Sequence, residues 1–385
     1  MKQLVIYHAH CTDGVAAAVA HRIAYERQPN VDSADKAPRN ALEYYDYVPM
    51  NYGMLEDDSA FFEVIKGYHA VTFLDFCPTE PLLRQMLNSK IIVTIFDHHK
   101  TAYEMIQNFK DVCNEQLRVV FSTDNKLSGA TLTWVLGLAG FKIKAAESLA
   151  LRDIEIHGHK FLTNMNLGFI RANTLAFKDP LYNLIGIRDT WDESDPRMKA
   201  RADALHAYLD FTDTRGFEEF YNFVKNETFV FNGASIVDVG QTVLNVNRIA
   251  CENALKDAYQ TVITTNEGDI YLAIGICPSG QGSQFGQSWR EMNEGKRTIA
   301  VALFPSFLKK SLTVGFRSSG IDALRLASTF PGGGGHSNAC GCRMSDIELR
   351  YDDTIITPAL LIRNIIKEIV TRVEDAYGVK KEEVV

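Results

Sequence analysis

The sequence predicts an α/β protein of two domains, the first built on a parallel sheet. Three observations lead there. The apolar runs 4–7, 71–74 and 91–96 are short and unbroken by polar alternation, as in strands buried on both faces of a sheet. Helical segments separate them, which is the rhythm of strand, crossover and parallel strand. At 385 residues, with 46% hydrophobic and 23% charged positions, the chain has an ordinary folded composition, and its length corresponds to two or three domains at roughly 150 residues each.

Taken in order, run 4–7 ends on His8, His10, Cys11, Thr12, Asp13 and Gly14, and an Ala/Val-rich helix is expected over 15–24. Strand 71–74 leads into Asp75, a crossover helix follows over 80–87, and strand 91–96 leads into Asp97, His98 and His99. A strand at 117–121 precedes a helix over 128–138 with Ser128 as its N-cap. Helical periodicity extends over 145–156. The apolar run 184–187 ends on Arg188, Asp189 and Trp191 and is expected to be a fourth strand end. Segment 211–255 is mostly helical, with 229–239 as an extended alternative. The second half turns strand-rich, with strands at 261–265, 270–276, 298–304 and 312–316 around a helix at 284–291. An amphipathic helix over 355–373 follows, and the tail 380–385 is expected to fray. The expected division is a first domain over 1–215, a helical linker over 216–256 and a second α/β domain over 257–385.

Composition limits the function. Forty Lys and Arg against 48 Asp and Glu give a net charge of −8, the wrong sign for blanket neutralisation of a long duplex. Seven scattered cysteines do not form the framework of a small stapled domain and favour a reducing compartment. The N-terminus reaches a polar residue too soon for a secretory leader, and no run nears the roughly 20 apolar residues of a bilayer span. A cytoplasmic protein without membrane partners is expected.

Ligands bind outside the carboxyl ends of strands in open α/β sheets, which is where the polar clusters fall. His8, Cys11, Asp13, Asp75, Asp97, His98, His99 and Asp189 are carboxylates, imidazoles and a thiol of the kinds that hold Mn, Fe, Co, Zn or Mg. Two such ions sharing a carboxylate activate a water and neutralise a phosphoryl oxygen. A single histidine at a strand end is as often structural, but four polar clusters in that context are not. In the second half, the glycine run Gly332, Gly333, Gly334 and Gly335 before His336 offers backbone amides for an anion, and Arg317 offers a guanidinium fork. Cys340 and Cys342, one residue apart, are expected to pack in the core. His157 and His159 fall at a polar helix end, and Trp191, able to stack on a base, is expected mainly in the core.

These motifs, in this order, resemble the DHH phosphoesterase family with its DHH-associated C-terminal domain, over most of the chain. The resemblance implies a metal-binding catalytic domain and a smaller substrate-binding domain across a cleft, with a two-metal manganese site, other divalent ions being admissible. Residue by residue, it implies Asp75 bridging the ions, Asp13, His98 and Asp189 in the second site, and His8 with Cys11 in the first. Cys11 stands where the family motif carries its first aspartate, with one residue more between His8 and Asp13, and His10 is an alternative ligand. Asp97 orients a ligating histidine, and His99 meets the scissile phosphate. Arg317, Ser318, Gly333, Gly334, Gly335 and His336 hold the terminal phosphate or nucleotide.

The resemblance is greatest to the nanoRNase/oligoribonuclease group. It implies an exonuclease-type phosphodiesterase that hydrolyses short oligonucleotides or dinucleotides to mononucleotides, with a homodimer as an admissible assembly. The alternatives are a 3′-phosphoadenosine 5′-phosphate phosphatase, a cyclic-dinucleotide phosphodiesterase, and a catalytically degenerate nucleotide-binding protein.

Overall fold

A computed structural model describes residues 2–9, 11–28, 40–51, 58–110, 116–138, 150–167, 179–226, 230–231, 234–277, 280–306, 311–344 and 358–379. They divide into two compact units, Met1–Val243 and Leu244–Val385.

Unit 1 begins with β1 (Gln3–His8), α1 (Thr12–Glu26), β2 (Tyr45–Met50), α2 (Asp58–Ile65), β3 (Ala70–Leu74), α3 (Glu80–Asn88), β4 (Ile92–Asp97), α4 (Lys100–Gln107), β5 (Leu117–Ser122) and α5 (Gly129–Leu138). The hairpin β6 (Arg152–Ile156) and β7 (His159–Thr163) follows, then α6 (Pro180–Asp189), α7 (Pro196–Phe211) and α8 (Phe217–Lys225). One sheet orders these strands β2-β1-β3-β4-β5-β7-β6. Its first five strands are parallel, and the hairpin is added antiparallel.

The apolar runs conceal a period of two. Val5 and Tyr7 of β1 enter the core on one face of the sheet, with Leu74 and Phe96, whereas Leu4 and Ile6 enter the other, with Val71, Phe73, Val93 and Ile95. Both faces are covered, so the interiors of β1, β3 and β4 are almost continuously apolar, with Thr72 of β3 and Thr94 of β4 as the polar positions. Helix α1 is buried almost all round, and its alanines, Ala16, Ala17, Ala18, Ala20 and Ala24, let it lie between the sheet, α5 and α8. Caps fix the helix starts. Thr79 caps α3, Asp179 and Asp195 cap α6 and α7 ahead of prolines, and the Ser128 hydroxyl accepts from the Thr131 amide at 3.3 Å at the head of α5.

Three expectations for this unit change. Residues 152–156 are strand β6, the first arm of a hairpin whose turn carries His157 in a left-handed conformation (φ 54°), and 145–149 lie outside the described residues. Residues 184–187 belong to α6, because the Asp179 cap and Pro180 start a helix just upstream and four apolar residues alone do not distinguish the two states. Trp191 is exposed, at 47%, beneath the Arg188 guanidinium.

Segment 216–256 contributes to both units. Helix α8 packs Phe220 and Tyr221 into the core of unit 1. After the short strands β8 (Val230–Phe231) and β9 (Ala234–Ser235), helix α9 (Ile236–Lys256) carries the chain into unit 2, where Cys251 and Leu255 are buried.

Unit 2 contains β10 (Tyr259–Thr265), β11 (Gly268–Ile276), α10 (Gly282–Met292), β12 (Thr298–Ser306), β13 (Ser311–Ser319), α11 (Leu324–Ala327), β14 (Gly334–His336), β15 (Ala339–Met344) and α12 (Pro358–Tyr377). Its sheet runs β10-β11-β12-β13-β15-β14. Cys340 and Cys342 are buried in its core, as expected, with Ile369 and Val373 of α12. The glycine run differs from the open loop expected, because Gly334–His336 pairs with β15 as the edge strand. Among the described residues, no helix is long and apolar enough to cross a membrane.

Candidate metal centre at the sheet's carboxyl edge

Strands β1, β3 and β4 are parallel neighbours, with Tyr7 beside Leu74 and Leu74 beside Phe96, so their carboxyl ends emerge together. His8 closes β1, Asp75 follows β3, and Asp97 closes β4 ahead of His98 and His99. Helix termini supply the rest: Cys11 is the N-cap of α1, Asp13 lies in its first turn, and Asp189 is the last residue of α6. Gly14 allows this convergence, since a Cβ there would run into the His8 backbone and side chain.

Asp75 is the centre. It is 1% exposed and held left-handed at φ 53°, its amide donating to the Phe96 carbonyl at 2.9 Å. Its two oxygens face different partners. Oδ2 lies 3.6 Å from His8 Nδ1, and Oδ1 lies 3.3 Å from His98 Nε2, which itself is 3.2 Å from Asp189 Oδ2. Burial works against its charge, but His8 and His98, with His99 behind them, outweigh it and hold the carboxyl well below the usual range. The reciprocal effect acts on His98: burial opposes its charged form, but Asp189 and Asp75 raise its pKa well above the ordinary value.

Asp97, fully buried, positions the two histidines after it. Its Oδ1 accepts from the amides of His98 and His99 and lies 2.7 Å from His99 Nδ1. Burial lowers the His99 pKa, yet Asp97 and Asp75 carry it up to about 8. Asn125 Oδ1, 3.3 Å from His98 Nδ1, fixes the other side of that ring. Asn125 was not singled out in the sequence, although it follows β5 at the same edge and sits left-handed at φ 53°. Asp13 accepts from the Ala130 amide at 3.2 Å, while burial and the charges of Asp75 and Asp189 push its pKa up.

A dication fits this arrangement. Among the described residues, both Asp75 oxygens and His98 Nε2 are buried without a hydrogen bond of normal geometry, a state polar groups avoid unless something else satisfies them. Gly129 leaves open the space a Cβ would fill, with Asp75 Oδ1 at 2.8 Å and Asp13 Oδ2 at 2.9 Å from that point. The donor atoms of His8, Cys11 and Asp75 lie within 4.8 Å of one another, as do those of Asp13, His98 and Asp189. His10 lies outside the described residues. A cavity of about 130 Å³ opens beside Asp13 and Asp189, lined also by Thr12, Arg188, Trp191 and His206.

No family model matches the sequence, and no curated protein matches it. Among solved structures, a DHH-domain protein described as a member of a family of ribosomal proteins is similar to it, with a TM-score of 0.53, 13% identity, and coverage of 99% of this chain and 87% of that one. The chain has the DHH-domain fold. More distant likenesses are RecJ from Thermus thermophilus in complex with Mn²⁺ (TM-score 0.43, 13% identity, 97% of this chain and 52% of that one) and the pGpG-specific phosphodiesterase PggH from Vibrio cholerae (TM-score 0.40, 10% identity, 97% and 100%).

In the second unit of this DHH fold, the remaining sequence-predicted residues lie on neighbouring strands. Arg317 of β13 donates from Nε to Ser283 Oγ at 3.3 Å and from a terminal nitrogen to its neighbour's carbonyl at 2.9 Å, and Gly286 of α10 allows its stem to lie close. The Ser318 hydroxyl shares its one hydrogen between the Ile321 carbonyl at 2.8 Å and the Ser337 carbonyl at 3.3 Å, so it anchors the turn after the glycine strand. Gly332 (φ 66°) and Gly335 (φ 131°) are left-handed, Gly333 lies against the Ala327 carbonyl, and no atom of the described residues comes within 4 Å of where a Cβ on Gly334 would sit. His336 ends β14, and its side chain lies outside the described residues.

Proposed function

We propose that this protein is a metal-dependent phosphoesterase acting on short oligonucleotides or dinucleotides and releasing mononucleotides. The observation that carries the reading is Asp75, a buried left-handed carboxylate whose two oxygens face two separate donor sets. That is the arrangement a bridging ligand between two cations requires. His8, Cys11 and Asp75 would hold one ion, and Asp13, Asp75, His98 and Asp189 the other, with manganese as the first ion to test. Bound dications there supply Lewis-acid polarisation of a phosphoryl oxygen and a water acidified for attack.

The chain's own residues do the rest. Asp97 fixes both backbone amides after β4 and the ring of His99, so His98 and His99 keep one orientation through turnover. His99, with Nδ1 on Asp97 and a pKa raised to about 8, offers its other nitrogen as proton donor to the departing oxygen. Arg317 and the glycine strand at Gly334 and Gly335 supply recognition of a phosphate, with Gly333, whose amide donates to the Phe330 carbonyl at 3.0 Å, and Ser318 holding the turns on either side and His336 completing the set. The net charge of −8 suits small anionic substrates better than long duplex.

The test is turnover of a 5′-labelled RNA series of two to about ten nucleotides, with Mn²⁺ and with chelator, since this chemistry requires the ion. Loss of the shortest species only with the ion supports the reading. Nucleotide binding without cleavage in any metal overturns it in favour of a degenerate binding protein.

A further inference from the structure

The two donor sets at the sheet edge differ in kind. Asp13, His98 and Asp189 present carboxylates and an imidazole, whereas His8, Cys11 and Asp75 present an imidazole, a thiol and a carboxylate. We propose that the His8–Cys11–Asp75 position selects a thiophilic dication of the zinc type, while Asp13, His98 and Asp189 take a harder ion, so that the centre is built for two different metals. The inference rests on the metal-centre reading above and goes beyond it in the identity of the ions.

Three observations support it. Among the described residues, Cys11 is the one cysteine whose sulfur belongs to a donor cluster; Cys77, Cys251, Cys277, Cys340 and Cys342 are buried outside these clusters. Cys11 also occupies the N-cap of α1 in extended geometry (φ −110°, ψ 129°) without a side-chain capping bond, a position where Ser, Thr, Asp or Asn would stabilise the helix. Local helix stability therefore does not explain a cysteine there. Finally, among the described residues, both Asp75 oxygens are buried without a normal hydrogen bond, and Oδ2 is the one turned towards His8. A cation in that space gains a carboxylate, an imidazole and a sulfur at once. Thiolate donors favour zinc-type ions, whereas carboxylate with imidazole also accepts Mn²⁺ and Mg²⁺.

The experiment uses the full chain. Cobalt(II) is titrated into metal-free protein, and the near-ultraviolet sulfur-to-cobalt charge-transfer band is recorded for the wild type, Cys11→Asp, Cys11→Ser and Cys77→Ala. The band is expected in the wild type and in Cys77→Ala and absent from both Cys11 variants. In parallel, protein equilibrated with equal Zn²⁺ and Mn²⁺ is analysed for metal content. Imidazole and carboxylate alone favour zinc over manganese, so the decisive quantity is the change on substitution: Cys11→Asp is expected to reduce the Zn:Mn ratio about tenfold or more. Circular dichroism confirms that each variant is folded, and Cys11→Ser keeps the size of the side chain if the aspartate perturbs α1. A wild type without the band, or an unchanged Zn:Mn ratio in Cys11→Asp, overturns the inference. If the wild type then holds two Mn²⁺ ions and cleaves RNA, the phosphoesterase reading stands and only the ion assignment fails; if it takes up no dication, both fail.

Discussion

Asp75 combines two demands that different substitutions separate. Its charge faces His8 and His98, and its backbone is left-handed at φ 53°, a conformation that Asp and Asn tolerate and most other residues do not. Asp75→Asn and Asp75→Ala are both expected to abolish metal-dependent hydrolysis, but the alanine variant should also be less stable than the asparagine variant by about 1 kcal/mol. Chemical denaturation of the two proteins checks this, and equal stability would remove the claim of backbone strain. Asp97 makes the complementary case. Its Oδ1 serves three donors on His98 and His99 from a fully buried position. Asp97→Asn should therefore preserve the fold while weakening metal affinity or turnover by about 10–100-fold, as loss of an orienting carboxylate does elsewhere. Isothermal titration with Mn²⁺ measures it, and unchanged affinity together with unchanged turnover would reduce Asp97 to a structural cap.

The site depends on elements that approach one another closely through glycine. Gly129 begins α5 directly against Asp75 and Asp13, so Gly129→Ala should displace both carboxylates and lower metal affinity at least about tenfold while leaving the helical circular dichroism intact. In unit 2, the glycines of one run divide into two kinds. Gly335 is left-handed (φ 131°) with Cys340 against it, while no atom of the described residues comes within 4 Å of where a Cβ on Gly334 would sit. Gly335→Val is expected to lower the denaturation midpoint, and Gly334→Val to leave it in place and raise KM for the oligonucleotide. A Gly334→Val enzyme with wild-type KM would sink the phosphate-recognition role of β14. This division was not legible in the sequence, which shows four equivalent glycines; pairing with β15 distinguishes them. The central strands were legible because burial on both faces forces almost continuous apolar runs. Strand β6 was missed because Arg152, Asp153 and Glu155 place charge where neither period is clear. The Asp189 helix was misread because its start signal, Asp179-Pro180, lies ahead of a short apolar run that fits a strand equally well. His8, Asp75, Asp97 and His98 could be found from strand ends alone, whereas Asn125 and Gly129 act through loops whose spatial neighbours no local pattern reveals.

At the scale of the molecule, burial and neighbouring carboxylates push different histidines in opposite directions. Nine of the ten are in unit 1, since His336 is the one histidine beyond Val243. His98 and His99 at the centre have raised pKa values, whereas His21 is lowered to about 3 by burial, its ring edge-on to Tyr45 and Nδ1 2.9 Å from the Tyr47 hydroxyl. A histidine held neutral in the fold and charged below about pH 6.5 when unfolded contributes stability above that pH. The contribution falls as pH drops through the window from about 6.5 to about 3, because the unfolded chain then binds the extra proton. From pH 6 to pH 5 the loss from one such group is about 1 kcal/mol. His99, with its folded pKa raised to about 8, contributes the opposite slope, losing stability as pH rises through about 8. The histidine contributions alone therefore give unit 1 a weaker acid side and a weaker alkaline side, with the acid limb belonging in part to a side chain remote from the chemistry. His21→Asn keeps a polar atom for Tyr47 and removes the titration. The stability difference between wild type and His21→Asn, measured by urea denaturation in chelator, should therefore shrink by about 1 kcal/mol on going from pH 6 to pH 5. A difference that stays constant over that interval would mean that His21 is already protonated in the folded protein, and that the burial around Tyr45 and Tyr47 does not hold it neutral.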